Sequence, residues 1–178
     1  MGRADMTESH AHLGQEFLTW LWFLAEQAAG PIALKEIKPF ELFMLDPLVL
    51  EGQFGHTFQT VLRGGDPDQS PEAALALAEG KTVQKLRARF VIDDLDWTTQ
   101  IQGNTLDLVG LKMPVVKSGD FQSDIVMRLE ALDRFWTFLQ SLYEHFLSLR
   151  LTESAWRRVR KEMIEWVKRK NETKAIPE

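Results

Sequence analysis

The chain has 178 residues, of which 44% are hydrophobic and 26% charged, and a formal net charge of −5 at pH 7. This length and composition are typical of one globular domain that buries about 70% of its unfolded-chain surface. The absence of cysteine excludes disulfides, thiolate catalysis and cysteine-ligated metal or iron–sulfur centres. The composition also fits a cytoplasmic protein.

The first predicted element is a helix at residues 13–29, LGQEFLTWLWFLAEQAA. Residues 17–25 place bulky apolar side chains on every side of this helix, which predicts burial nearly all round. Its aromatic content makes it the expected centre of the fold or of an interface. Acidic residues precede the apolar run, and Glu16 and Glu26 bracket too few residues for a bilayer, so we expect neither an export signal nor a membrane span.

Short β-strands are predicted after the Gly30-Pro31 break, because apolar and polar residues alternate there. The candidate strands are residues 32–37, 40–44, 48–50 and 58–62. Pro39 and Pro47 are expected at strand ends or edges, since proline cannot donate to a central ladder. A glycine- and proline-rich loop at residues 64–71 leads to a short helix, with Ser70 as the N-cap, Pro71 as its first residue and Gly80 at its end.

From Lys81 onward, period-two alternation predicts a long strand with one apolar face. The residues expected on the polar-rich face are Val83, Lys85, Arg87, Arg89 and Val91. The residues expected on the opposite face are Leu86, Ala88, Phe90 and Ile92. A turn at 93–96 and a returning strand at 97–102 predict an antiparallel hairpin, whereas residues 104–119 are ambiguous.

Two helices are predicted at the carboxyl end, one at residues 120–151 and one beginning near Thr152 or Ser154. The expected apolar side of the long helix comprises Phe121, Ile125, Leu129, Leu132, Trp136, Leu139, Tyr143, Phe146 and Leu147. The prediction is an α+β fold with an antiparallel sheet packed against a buried N-terminal helix and long C-terminal helices. We expect a single domain at 13–170, with disorder at 1–12 and 171–178.

Charge is distributed unevenly, because residues 150–170 carry a net charge of +5 within an acidic chain. Cations of this kind displace counterions from nucleic-acid phosphates, which predicts DNA binding. The candidate DNA-binding residues are Arg150, Arg157, Arg158, Arg160, Lys161, Lys168 and Arg169 near the carboxyl end and Lys85, Arg87 and Arg89 on the strand. A solvated helix and an ordinary exposed strand are the alternatives.

Catalytic signals are weak. Asp93, Asp94 and Asp96 could hold the divalent cation of a nuclease, or could simply form a turn. Glu16 could be a buried functional carboxylate, or could complement the helix dipole or pair with an arginine. Without a Ser-His-Asp order, a phosphate-binding glycine loop or an HExxH motif, the sequence predicts no catalytic residue, metal or cofactor.

Three segments carry a family resemblance: LGQEFLTWLWF at 13–23, EGK at 79–81 before a basic strand, and LYEHFLSLRL at 142–151 followed by Trp156. In this order they resemble the C-terminal half of RdgC-like recombination-associated proteins. The resemblance implies an α+β fold, a bacterial or phage origin, and nonspecific binding to duplex DNA that restrains strand exchange. Some family members carry an exonuclease label, which no motif here supports.

The resemblance covers half of a family subunit, and whole subunits are thought to encircle DNA as a ring-shaped dimer. We therefore expect a homo-oligomer or a separate N-terminal partner chain. No single DNA-contacting residue is transferred from the family, so the candidates above depend on charge. The leading hypothesis is a nonspecific DNA-binding module, and the alternative is a non-catalytic structural subunit that pairs with itself or with the N-terminal partner.

Overall fold

The computed structural model describes residues 4–52, 59–64, 70–115 and 119–172, with side chains from residue 13 onward. The helices are α1 (Ala4–Gln27), α2 (Pro71–Ala78), α3 (Phe121–Leu151) and α4 (Glu153–Glu172). The strands are β1 (Phe40–Glu51), β2 (Gln59–Leu62), β3 (Thr82–Ile92), β4 (Leu95–Gln102) and β5 (Leu108–Lys112). These strands form one antiparallel sheet in the order β2-β1-β3-β4-β5. The predicted α+β fold is confirmed.

Helix α1 lies against one face of the sheet and forms the centre of the core. All of residues 17–23 are buried, including Trp20 and Trp22. The predicted all-round burial is therefore confirmed, and each large side chain contributes roughly 1.5–3 kcal/mol of transfer free energy. The helix begins at Ala4, earlier than the apolar pattern indicated.

The second half of α3 covers the same face of the sheet through aromatic contacts. The Phe135 ring stacks on Trp97 with centroids 5.5 Å apart, and it meets Phe90 edge-on at 5.5 Å. The Phe138 ring meets Phe40 at 5.0 Å. These contacts join α3 to β1, β3 and β4, and they close the core on the side not occupied by α1.

Two strand predictions need correction at the start of the sheet. Residues 32–37 form no strand, because only Ile32 makes a bridge, to Phe40. The predicted strands 40–44 and 48–50 are one strand, β1, which continues through Pro47. Pro47 lies neither at a strand end nor on an edge strand. The register of the β1–β3 ladder shifts between Leu45 and Leu48, so no backbone N–H is required from residue 47 for the pairing with β3.

The hairpin of β3 and β4 is confirmed, with a tighter turn than predicted. Ile92 pairs with Leu95, so only Asp93 and Asp94 form the loop, and both have positive φ angles, of 50° and 61°. A two-residue loop with both φ angles positive is the turn that suits the twist of paired strands. Val83 is buried, although the alternation predicted it on the polar-rich face. The register of the β1–β3 ladder shifts between Val49 and Leu50, which leaves Gln84 as an extra residue in β3 and turns Val83 toward the core.

Helix α3 exposes much of its predicted apolar side. Its buried residues are Ala131, Phe135, Phe138, Leu142 and Phe146. The residues we call the α3 apolar stripe are exposed instead: Phe121, Ile125, Leu129, Leu132 and Trp136. The helix carries two neighbouring apolar surfaces, and the sheet covers only one of them.

Candidate nucleic-acid surface

Helix α4 is amphipathic, and its apolar side faces the rest of the domain. Val159 and Trp166 are buried, and the Trp166 ring meets Trp22 of α1 edge-on at 5.3 Å. The opposite side carries six exposed cations, which we call the α4 basic face: Arg157, Arg158, Arg160, Lys161, Lys168 and Arg169. The fold thus presents these predicted DNA-binding residues to solvent on one helix.

Arg150 does not belong to this face, although it is among the predicted contacts. Its Nε donates to a carboxylate oxygen of Glu16 at 2.6 Å, and its guanidinium lies 5.0 Å from the centre of the Trp156 ring. Glu16 therefore pairs with an arginine, which was one of its two predicted roles. Lys170 also turns inward, with its Nζ 2.6 Å from a Glu26 oxygen.

Acidic neighbours partly neutralise the α4 basic face. Arg157 pairs with Glu153, and the Lys161 Nζ lies 3.9 Å from Glu165. Both pairs are exposed, and exposed pairs contribute only about 0–1 kcal/mol, so they can exchange for a phosphate. The cations without an acidic partner among the described residues are Arg158, Arg160 and Lys168.

The three strand cations share one face of β3, as predicted. Lys85, Arg87 and Arg89 alternate with buried residues of the opposite face. The Arg87 guanidinium donates to the backbone carbonyl of Asp46 at 3.2 Å. The Arg89 Nε donates to Asp96 at 2.7 Å, and its guanidinium lies over the ring of Phe43. Two of the three cations are therefore engaged in contacts on the sheet itself.

The fold keeps the two sets of cations apart. Helices α1 and α3 cover the face of β3 that carries Leu86, Ala88 and Phe90, and α4 packs on α1, α2 and α3. The strand cations point away from this helical layer, because neighbouring residues of a strand point to opposite faces. The ten predicted residues therefore do not form one continuous basic surface.

Asp93 and Asp94 form the turn between β3 and β4, and Asp96 lies at the start of β4. Asp93 accepts a hydrogen bond from Lys38 Nζ at 2.6 Å, and this bond holds the carboxyl pKa below its usual range despite partial desolvation. Asp96 is bonded to Arg89. Within residues 4–52, 59–64, 70–115 and 119–172, no group of three His, Cys, Asp or Glu side chains is placed to hold a metal ion.

A cavity of about 430 Å³ lies between α4, α2 and the start of β3. Leu77, Met163 and Val167 give it an apolar lining, and Arg160 and Lys168 also border it. The buried Lys81 at this junction has its Nζ 3.1 Å from Glu79 and 3.1 Å from the Thr60 hydroxyl. This lysine joins α2 to β2, a contact that no sequence pattern indicated.

Comparison of the chain with protein-family models, with curated proteins and with solved structures finds no match. Among the helices of the described residues, none has an apolar stretch long enough to cross a membrane.

Proposed function

We propose that this chain is a sequence-nonspecific DNA-binding module that contacts phosphates through the α4 basic face. The observation that carries the proposal is the exposure of six cations on one helix of 20 residues. The six cations lie between residues 157 and 169, a span of about 18 Å along the helix, which is enough to contact several neighbouring phosphates of a duplex. Phosphate contacts of this kind carry no base sequence information, so the binding is nonspecific.

The overall charge of the chain favours one orientation on DNA. Residues 150–170 carry a net +5, of which the inward-turned Arg150 and Lys170 contribute +2, whereas the whole chain carries −5, so the remaining residues are strongly acidic. An acidic surface repels the phosphate backbone and a basic one attracts it. The α4 basic face should therefore approach DNA with the acidic remainder turned away.

The resemblance to RdgC-like recombination-associated proteins supports the same proposal. Three segments carry it, at 13–23, 79–81 and 142–151. The proposal includes a role in restraining recombination and a cytoplasmic location, where bacterial and phage DNA is found. It includes no reaction, cofactor or metal.

Fluorescence anisotropy with a labelled duplex tests the proposal. If about four phosphates are neutralised, the logarithm of affinity falls with the logarithm of salt concentration at a slope near −3.6, a loss of roughly a hundredfold between 50 and 200 mM. Replacing Arg158, Arg160 and Lys168 by Gln should make that slope shallower by about 2.7, because each lost phosphate contact removes about 0.9 from its magnitude. Circular dichroism confirms that the variant keeps its helices.

The strand cations provide the matched control. The triple variant Lys85→Gln, Arg87→Gln, Arg89→Gln removes the same number of charges from the opposite side of the sheet, so it should leave the slope unchanged. An equal effect of both triple variants would refute the assignment to α4. Absence of binding at about 50 mM salt, where phosphate contacts are strong, would refute DNA binding itself.

A second candidate function is favoured by the α3 apolar stripe. A helix that exposes Phe121, Leu129 and Trp136 is typical of a subunit that pairs with a partner. We propose as this alternative a non-catalytic structural subunit that binds a second copy or a separate N-terminal partner chain. Sedimentation velocity together with binding of an apolar dye tests this alternative. A chain that is monomeric and binds no dye would have no exposed apolar surface for a partner, and this result would contradict the alternative.

A further inference from the structure

We propose that the α3 apolar stripe is the contact between two copies of this chain, packed antiparallel with Phe121 of each copy inserted beside Trp136 of the other. This proposal rests on the second candidate function and names its partner. It is independent of DNA binding by the α4 basic face.

The α3 apolar stripe has the spacing of a helix-pairing seam. Phe121, Ile125, Leu129, Leu132 and Trp136 recur every three or four residues, and Leu139 and Tyr143 continue the pattern. This spacing is the one by which two helices interlock their side chains. Residues 121–130 are exposed apart from the half-buried Asp124, so this part of the helix is accessible to a partner helix.

The exposed area is sufficient for a stable pair. Phe121 is 79% exposed, Leu129 60% and Trp136 59%. With Ile125 and Leu132, these side chains expose on the order of 550 Å² of mainly apolar surface, about 1,100 Å² for two copies, which clears the roughly 1,000 Å² in total that a specific interface needs. An exposed apolar patch of this size is at the upper end of the roughly 300–600 Å² found for the largest patch of a monomer, and patches of that size are often functional.

The two ends of the stripe are complementary to each other. At its C-terminal end lies an apolar cavity of about 230 Å³. The cavity is lined by Phe17, Leu106, Leu108, Trp136, Leu139 and Tyr143. A dry cavity of about 150 Å³ already accepts benzene, so this one can hold a phenyl ring. At the other end, Phe121 is an exposed phenyl ring on the same side of the helix.

This complementarity selects a second copy and an antiparallel orientation. Phe121 and Gln140 are about 28 Å apart along α3, so a two-fold axis between residues 130 and 131 places each Phe121 against the other copy's cavity. The same axis pairs Leu129 with the partner's Leu132 and Ile125 with the partner's Trp136. A contact of this type closes after two subunits. In a parallel pair, Phe121 would face its own equivalent and leave the cavity unfilled.

Disulfide crosslinking tests the orientation, because the chain has no cysteine of its own. The double variant Ile125→Cys, Trp136→Cys should form a covalent dimer on oxidation, whereas Ile125→Cys alone should not. Crosslinking of the single variant would indicate a parallel pair and overturn the proposal. The matched control Arg157→Cys, Lys168→Cys has the same spacing on exposed α4 and should stay monomeric on a non-reducing gel.

Sedimentation equilibrium tests the role of Phe121. Phe121→Ala should raise the dimer dissociation constant at least about tenfold, as expected for an aromatic anchor in a pocket. Ile164→Ala, an exposed apolar position on α4, should leave it unchanged. A wild-type chain that is monomeric at about 100 µM, a concentration well above a micromolar dissociation constant, overturns self-pairing. Dye binding to that monomer would then decide separately whether α3 still offers a surface to another partner.

Discussion

The Glu26 carboxylate connects helix α1 to helix α4, and its removal should weaken the fold substantially. It accepts hydrogen bonds from Trp22 Nε1 at 2.5 Å, from Trp166 Nε1 at 2.8 Å and from Lys170 Nζ at 2.6 Å. The side chains of Glu26 and Lys170 are only 15% and 11% exposed. The Lys170 ammonium also lies 5.4 Å from the centre of the Trp22 ring.

Glu26→Ala removes the acceptor of two indole N–H groups and the carboxylate beside a buried ammonium. Breaking a buried ion pair by removing one partner costs about 3–5 kcal/mol, and an unsatisfied buried donor about 1–3 kcal/mol. These costs overlap, so we expect a loss of about 4 kcal/mol in the free energy of unfolding. For a chain of this length the melting temperature should fall by about 8–16 °C.

Urea unfolding followed by tryptophan fluorescence measures this loss, with Trp22 and Trp166 as reporters beside the substituted site. Lys170→Met keeps the apolar stem and leaves Glu26 with both indole donors, so its cost should be smaller than that of Glu26→Ala. A loss below about 1 kcal/mol for Glu26→Ala would refute a buried pair of this strength. Lys170→Met should also leave the salt slope of DNA binding unchanged, because Lys170 lies outside the α4 basic face.

Two further predictions concern α1 and its contact with α3. A Cβ at Gly14 would lie 2.1 Å from the Gly103 carbonyl oxygen, so Gly14→Ala should lower the free energy of unfolding in urea by more than about 2 kcal/mol. Gly30 has open space around it, so the control Gly30→Ala should change this free energy by less than about 1 kcal/mol. Burial against Trp20 lowers the pKa of His145, with Glu36 opposing the shift. The unfolded chain therefore binds the proton more readily than the folded one, so the free energy of unfolding should fall as the pH drops below about 6.5, until the pH passes the folded-state pKa. Unfolding curves measured across that range should show this dependence for the wild-type chain and lose it in His145→Gln.

Local sequence signals predicted most of the elements. Ser70 caps α2 by accepting from the backbone N–H of Ala73, and Pro71 begins the helix, as their residue types indicate. Asp120 caps α3 in the same way through Ser123. The burial of α1 followed from an apolar run without a polar side. These features depend on neighbours within a few residues, so the sequence alone contains the information.

The candidate surfaces depended on contacts between distant segments. Charge composition indicated a basic carboxyl end, but only the fold decided that Arg150 and Lys170 turn inward, because their partners Glu16 and Glu26 lie more than 100 residues away. Periodicity likewise identified the apolar residues of α3 without deciding which of them the sheet would cover. The periodicity of a helix shows that one side is apolar. Whether that side is buried depends on a packing partner from a distant part of the chain. For α3 the sheet supplies that surface over the second half of the helix only, which leaves the α3 apolar stripe exposed.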